Sequence, residues 1–308
     1  MSAFEDIEVV GLGQACVDYL GRVPSYPAED GKIELMDLQS QCGGPASTAL
    51  VTLSRLGVKT SFLGSVSDDP IGVEVLKGLR AEQVDSSFLK ITPGCTSQFA
   101  FIAVSRESGN RTIFWHRGSA PPLKGSEVDL APFTRARVLH LDGLMIDASI
   151  EAATQARAMG MRVVLDAGTM REGSLDLVAR IDVLIASSRF AAPLVGEEAP
   201  VEKALETLSR RGPHEIVITL GAKGSVGWDR GTIVRQSAFP VGVVDTTGAG
   251  DVYHGAYIYG LLKGLDMKSC MRFASATAAL KCKEIGARAG IPKLGAVLEF
   301  LDTHSAAY

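Results

Sequence analysis

Short β-branched and aliphatic runs recur along this chain with helical patterns between them, and this alternation constrains the fold more than any other feature. The runs at 7–12, 60–66, 138–141, 162–166, 183–186 and 216–220 read as strands, and the last four look buried on both sides. Parallel strands joined by crossover helices are the simplest way to build from such an order. The pattern predicts a helix over 45–56, with Leu50, Leu53 and Leu56 on one stripe and Gly57 as its stop. Another is predicted over 71–82, started by Asp68, Asp69 and Pro70, and most of 248–301 reads as helical. Segments 225–228 and 232–236, separated by Asp229, Arg230 and Gly231, predict a hairpin. Segments 17–38 and 98–117 break the rhythm, because they alternate loosely and hold no convincing helix. They fit either a flap over a ligand crevice or edge strands of the main sheet.

Nothing in the chain suggests a division. The 308 residues contain no Pro/Gly/Ser-rich linker and no solenoid repeat, so a single domain over 1–308 with a small β appendage is expected. A net charge of −4 and a pI near 5.8 speak against a nucleic-acid protein, which needs a basic surface. The apolar runs are too short to span a bilayer. Met1 to Asp6 carries two acids and no apolar signal region, which leads to the expectation of a cytoplasmic protein. The five scattered cysteines form no CxxC pair and read as free thiols in a reducing compartment.

The richest segment runs from Val243 to Ala256, VVDTTGAGDVYHGA. A strand end, a glycine turn and a helix over 252–263 follow one another. A glycine turn opening a helix exposes unpaired amides at the positive end of the helix dipole, a site suited to phosphate. Asp251, just inside that helix, stands where a base could accept the proton of an attacking hydroxyl. GAGD alone would fit a helix cap equally well. The strand–turn–helix setting favours the catalytic role.

DTTGAGD resembles the C-terminal signature of the ribokinase/PfkB carbohydrate kinase family. Gly43-Gly44-Pro45-Ala46-Ser47-Thr48 with Ser54-Arg55-Leu56-Gly57, the G-x-x-x-x-D of Gly13 to Asp18, and the T-x-G-x-x-G of Thr219 to Gly224 are similar to that family's other motifs, in the same order. The resemblance implies a ribokinase-like, doubly wound α/β fold, with a mostly parallel sheet, helices on both faces and a small β-sheet lid from 17–38 and 98–117. It implies an ATP-dependent sugar kinase with Asp251 as base and the amides of Gly248, Ala249 and Gly250 as an anion hole. Asp18, Gly43, Gly44 and Thr48 would bind the substrate, and Thr219, Gly221 and Gly224 the nucleotide. Carbonyls of Asp245 and Thr247, with 285–290, would hold a monovalent cation such as K+. Mg2+ would enter with ATP. A homodimer through the lid is also implied.

The chain departs from that pattern in places. Thr48 stands where Asn is common, and Ser187-Ser188-Arg189-Phe190 lacks the acid of the N-x-x-E motif, for which Asp166 could compensate. These features, with Ala278 to Cys282 and Arg288 to Pro292, look most like the branch containing the sulfofructose kinases. An anionic sugar would need cations, and Lys32, Arg111, His116 and Arg117 are the candidates. Trp115 and Leu144, however, stand where that branch has Asn and Arg, and solvent-facing cations fit equally well. Asp142 ends a strand, and could touch substrate or, with slight preference, cap the next element. Gly11-Leu12-Gly13 hints at a dinucleotide fold, but Cys16 replaces the third glycine. A non-catalytic sugar or nucleotide sensor, or a nucleoside or vitamin kinase using Phe101, Phe114 and Trp115 for stacking, remain the alternatives.

Overall fold

The computed structural model describes residues 6–108 and 111–304. The expectations for residues 1–5, and for 109 and 110 of the second lid segment, lie outside these. The chain begins with β1 (Val9–Leu12), β2 (Cys16–Val23), β3 (Asp37–Gly43), α1 (Pro45–Arg55), β4 (Thr60–Ser67), α2 (Pro70–Ala81), β5 (Leu89–Thr92), β6 (Phe99–Ser105) and β7 (Arg111–His116). It continues through β8 (Val138–Leu141), α3 (Ile146–Ala158), β9 (Arg162–Ala167), α4 (Ser174–Val178), β10 (Val183–Ser187), α5 (Ser188–Val195), α6 (Val201–Ser209) and β11 (Glu215–Thr219). The hairpin β12 (Ser225–Asp229) and β13 (Thr232–Gln236) precedes α7 (Ala249–Leu262), α8 (Met267–Lys281) and α9 (Leu294–Thr303).

Nine strands form the main sheet in the order β13-β12-β11-β10-β9-β8-β1-β4-β5. All its pairings are parallel except those that join β12 to β11 and β13. Neighbouring strand residues feed opposite cores, as the two-residue period requires. Val9, Val138, Val164, Val183 and Val217 join α1, α2, α7, α8 and α9 on one face. Val10, Leu139, Val163, Leu184 and Ile216 join α3 to α6 on the other. Each such fully buried aliphatic side chain contributes about 1.5–3 kcal/mol.

The strand order turns at β1, which has β8 on one side and β4 on the other. Ligands in open α/β sheets bind beyond the carboxyl ends of the strands at such a point. The helix starts and stops follow the sequence. Asp69 caps α2 by accepting the Gly72 amide at 2.9 Å, with Pro70 in the first turn. Gly57, at φ +90°, ends α1.

Segments 17–38 and 98–117 resolve into a separate four-stranded sheet, order β3-β2-β6-β7, so they form a lid and not edge strands. The first boundary differs from expectation. β3 begins at Asp37 and runs on to Gly43, its outer rows exposed, so the first glycine of the double glycine is a strand residue paired with Cys16. β5 has no counterpart among the strands that the sequence pattern predicts. All five cysteines are free. Among the described residues no helix is long and apolar enough to cross a membrane.

Candidate active site

Helix α7 is buried along nearly its whole length, packed between α1 and α8. Its N-terminus faces the switch point because the preceding turn folds tightly. Gly248 has φ +73°, and a Cβ there would lie 2.9 Å from Ala287, so a side chain is excluded on both counts. The Ala249 amide, one of the three expected to face an anion, donates to the Thr246 carbonyl at 3.2 Å. The amides of Gly248 and Gly250 have no backbone acceptor among the described residues and are free for one.

Two cavities flank this turn. One, of about 250 Å³, is lined by Asp251, Asp142, Leu144, Asp166, Arg171 and Pro45 among others. The other, of about 440 Å³, runs from Thr219, Gly221 and Gly224 past Phe239 and Ala279 to Ala249 and Gly250. The three residues expected under a nucleotide therefore line one groove, and that groove ends at the turn before α7.

Asp251 is the third residue of α7, and its surroundings make it a weaker acid. Burial, then the charge of Asp166, push it up to about 7, while His254 opposes the rise. Asp142 is pushed up to about 6 by burial, although it accepts the Gln14 amide at 2.6 Å and the Leu144 amide at 3.1 Å. Asp166 rises well above the usual carboxylate range, from burial and from Asp142. His254 Nε2 lies 3.4 Å from Asp166 Oδ1, and its Nδ1 lies 2.6 Å from the Gly250 carbonyl. Asp142 thus ties the ends of β1 and β8 together and also lines the cavity; it does not cap α3, whose N-cap is Met145 with no side-chain cap bond.

The double glycine lies, at Gly43, against the Asp18 carboxylate. A Cβ on Gly43 would stand 2.1 Å from Asp18 Oδ2, so only glycine lets that carboxylate lie against the backbone. Asp18 is raised by burial, against a hydrogen bond from the Cys16 thiol and the charge of Arg288. Gly44 is the N-cap of α1, and the Thr48 hydroxyl behind it is buried without a hydrogen-bond partner. Neither Asp18 nor Gly43 lines the Asp251 cavity, which Pro45 borders. Asp18 is still close enough for its charge to act on Asp251.

Of the candidate cations, Arg111 reaches the site. Its Nη1 donates to Thr246 Oγ1 at 2.6 Å, so the lid closes onto the turn. Lys32 stays exposed in the β2–β3 loop, while Arg117 lies over the Trp115 ring. Ser187 caps α5, accepting the Phe190 amide at 3.3 Å, and the buried Phe190 fills the place of the missing acid. Among the described residues no group of three His, Cys, Asp or Glu is placed to hold a metal ion.

The expected alkali-cation site is differently furnished. Asp245 Oδ1 accepts the Thr247 amide and hydroxyl at 2.9 and 2.8 Å, and Oδ2 accepts the Gly286 amide at 2.7 Å. The Asp245 carbonyl accepts Lys281 Nζ at 2.9 Å, with Lys281 fully buried. An ammonium already serves that carbonyl, so the residues present do not fit a free alkali ion there.

The sequence assigns no individual role to three of these groups, although 278–282 and 285–290 are marked as segments. Lys281 sits in a helical run and reads as a surface residue. Arg171 follows β9 with no motif to mark it. Arg288, buried, donates to the Gly43 carbonyl at 3.2 Å and Ser47 Oγ at 2.9 Å, which only the tertiary fold reveals.

Comparison with known proteins agrees with this geometry. Residues 6–294 match the pfkB family carbohydrate kinase. A ribokinase of Haemophilus influenzae is 28% identical, covering 94% of this chain and 97% of its own. A nucleoside kinase of Methanothermobacter thermautotrophicus is 24% identical, with 94% of each chain covered. The structure of Arabidopsis thaliana ribokinase complexed with ribose and ATP superposes with a TM-score of 0.86 at 25% identity, covering 96% of this chain and 98% of that one. With its motifs, its doubly wound sheet and nearly its whole length in agreement, the chain belongs to the pfkB family of carbohydrate kinases.

Proposed function

We propose that this chain transfers the γ-phosphoryl group of ATP to a hydroxyl of a sugar or sugar-like substrate, with Asp251 as the general base. The observation that carries this is the meeting of two cavities at the N-terminus of α7. Gly250 lines the groove shared with Thr219, Gly221 and Gly224, and the next residue, Asp251, lines the acidic cavity. A nucleotide in the groove would bring its terminal phosphate to the turn, and a hydroxyl on the Asp251 side would face it in line. The amides of Gly248 and Gly250, with the helix dipole, would hold the charge that develops.

Asp251, raised by its buried acidic surroundings, is suited to take a proton near neutral pH. Asp18 would orient the substrate through charge-assisted hydrogen bonds, beside Gly43, Gly44 and the unpartnered hydroxyl of Thr48. Arg111 would hold the lid against the turn and exclude water. Magnesium bound to the triphosphate would neutralise phosphate charge, and Asp166 is the acid available to it in the Asp251 cavity. Potassium is left out, because Lys281 holds the Asp245 carbonyl. Exposed Leu38, Ile113, Phe114 and Trp115 on the lid support its pairing with a second lid in a dimer.

The test is ADP release by the purified protein with Mg-ATP across neutral, phosphorylated and sulfonated sugars and nucleosides. Strong turnover with a sugar class is the expected result. Turnover confined to nucleosides would overturn the substrate assignment, and silence across the panel would overturn the activity.

A further inference from the structure

Lys281 is the last residue of α8, is fully buried, and makes no ion pair with any described residue. Burying a lone ammonium is costly, and most buried lysines are matched by a carboxylate. Here the acceptor is a backbone carbonyl, that of Asp245, at 2.9 Å. The side chain of Asp245 is engaged elsewhere, with Thr247 and Gly286. The chain around Lys281 is fastened to the same turn. The Cys282 carbonyl accepts the amides of Val244 and Asp245 at 2.8 and 3.2 Å. The nitrogen is therefore held in one place, three residues before Gly248, where the free amides begin.

We propose that the Lys281 ammonium is a tethered monovalent cation behind the anion-binding turn, so that this kinase needs no potassium or other alkali ion. An ammonium nitrogen and a potassium ion approach carbonyl oxygens in the same way, as point charges that orient the dipole. Lys281 would do this permanently, adding its charge to the positive end of α7. A potassium ion entering beside it would meet a like charge in a poorly screened interior. The inference rests on the proposed role of the α7 turn as receiver of the transferred phosphate.

The experiment compares wild type, Lys281→Ala and Lys281→Met in potassium, ammonium or N-methylglucamine chloride at equal ionic strength. Thermal unfolding and calorimetric Mg-ATP binding are both read. Wild type is expected to show the same midpoint and the same affinity in all three salts. Lys281→Ala should bind Mg-ATP about tenfold or more weakly in N-methylglucamine and recover in potassium or ammonium, its midpoint rising with them. Lys281→Met, which keeps the volume and loses the charge, should stay weak in every salt. A purely structural lysine would show no such ion-specific rescue. A wild type whose midpoint or affinity rises selectively with potassium overturns the inference, as does a Lys281→Ala variant that binds normally in N-methylglucamine. If wild type binds no Mg-ATP, the proposed function falls, while the response of the midpoints to potassium still decides the role of Lys281. Should neither variant fold, the wild-type comparison decides alone.

Discussion

Replacing Gly43 with alanine probes the proposed substrate-binding role of Asp18 with a single added carbon. The new Cβ would lie 2.1 Å from Asp18 Oδ2 and 2.8 Å from its Cγ, well inside van der Waals contact. The Gly43 carbonyl is held by Arg288 Nη2 and by Ser47 Oγ, so the backbone resists moving and the Asp18 carboxylate must give way by about 1 Å. A displacement of that size in a positioning group costs on the order of a hundredfold in rate. That is about 2.7 kcal/mol of transition-state stabilisation. The groove lined by Thr219, Gly221 and Gly224 does not include Gly43, so nucleotide affinity should be untouched. Steady-state kinetics with the best sugar, together with calorimetric titration of Mg-ATP, separates the two effects. Sugar kcat/KM is expected to fall about a hundredfold at constant ATP affinity. An unchanged sugar kcat/KM would refute Asp18 as a substrate ligand, and a parallel loss of ATP affinity would refute the separation of the two sites.

Other outcomes follow from the same geometry. Asp251 is raised to about 7 and must be ionised to act, so kcat/KM should fall as pH drops through that region; a profile flat down to about pH 5 would exclude it as the base. Asp166→Asn removes a negative neighbour, which lowers the Asp251 pKa and should move that acid limb to lower pH, read from the same pH–rate profile. Arg111→Ala breaks the lid's bond to Thr246 and should raise the sugar KM about two- to tenfold with no change in melting temperature. Ala279→Phe puts a ring into the groove and should raise the ATP KM about tenfold or more, leaving sugar binding intact in a direct titration.

Much of the fold was readable because the physics behind it is local. Val9 and Val10, or Val163 and Val164, are adjacent and both apolar because each faces a different core, and that doubling marks a strand covered on both sides. Asp69 and Pro70 announce α2 by capping chemistry that needs no tertiary partner. β3 was harder, because Asp37–Gly43 belongs to a lid edge whose exposed positions accept polar residues and show no apolar stripe. The site divides in the same way. The turn from Asp245 to Asp251 and the Thr219 to Gly224 loop are continuous in sequence, and their residues fall together in space. Arg288 beneath Gly43 and Lys281 behind Asp245 act across 245 and 36 residues. Their polar side chains signal surface in a sequence, and only the packing of α8 and the following loop buries them. Ala249 shows a further limit, since which amide of a glycine turn is spent within the turn depends on backbone angles that the motif does not encode.

The central claim is that Asp251 accepts the proton of the attacking hydroxyl at the α7 turn. Asp251→Asn keeps the shape and removes the base, so it tests that claim with the least disturbance. Mg-ATP titration and sugar-dependent ADP release are measured on the same preparation. The account predicts ATP affinity within about twofold of wild type and turnover lower by on the order of a hundredfold to ten-thousandfold. Turnover at the wild-type level, with ATP bound as before, would contradict it.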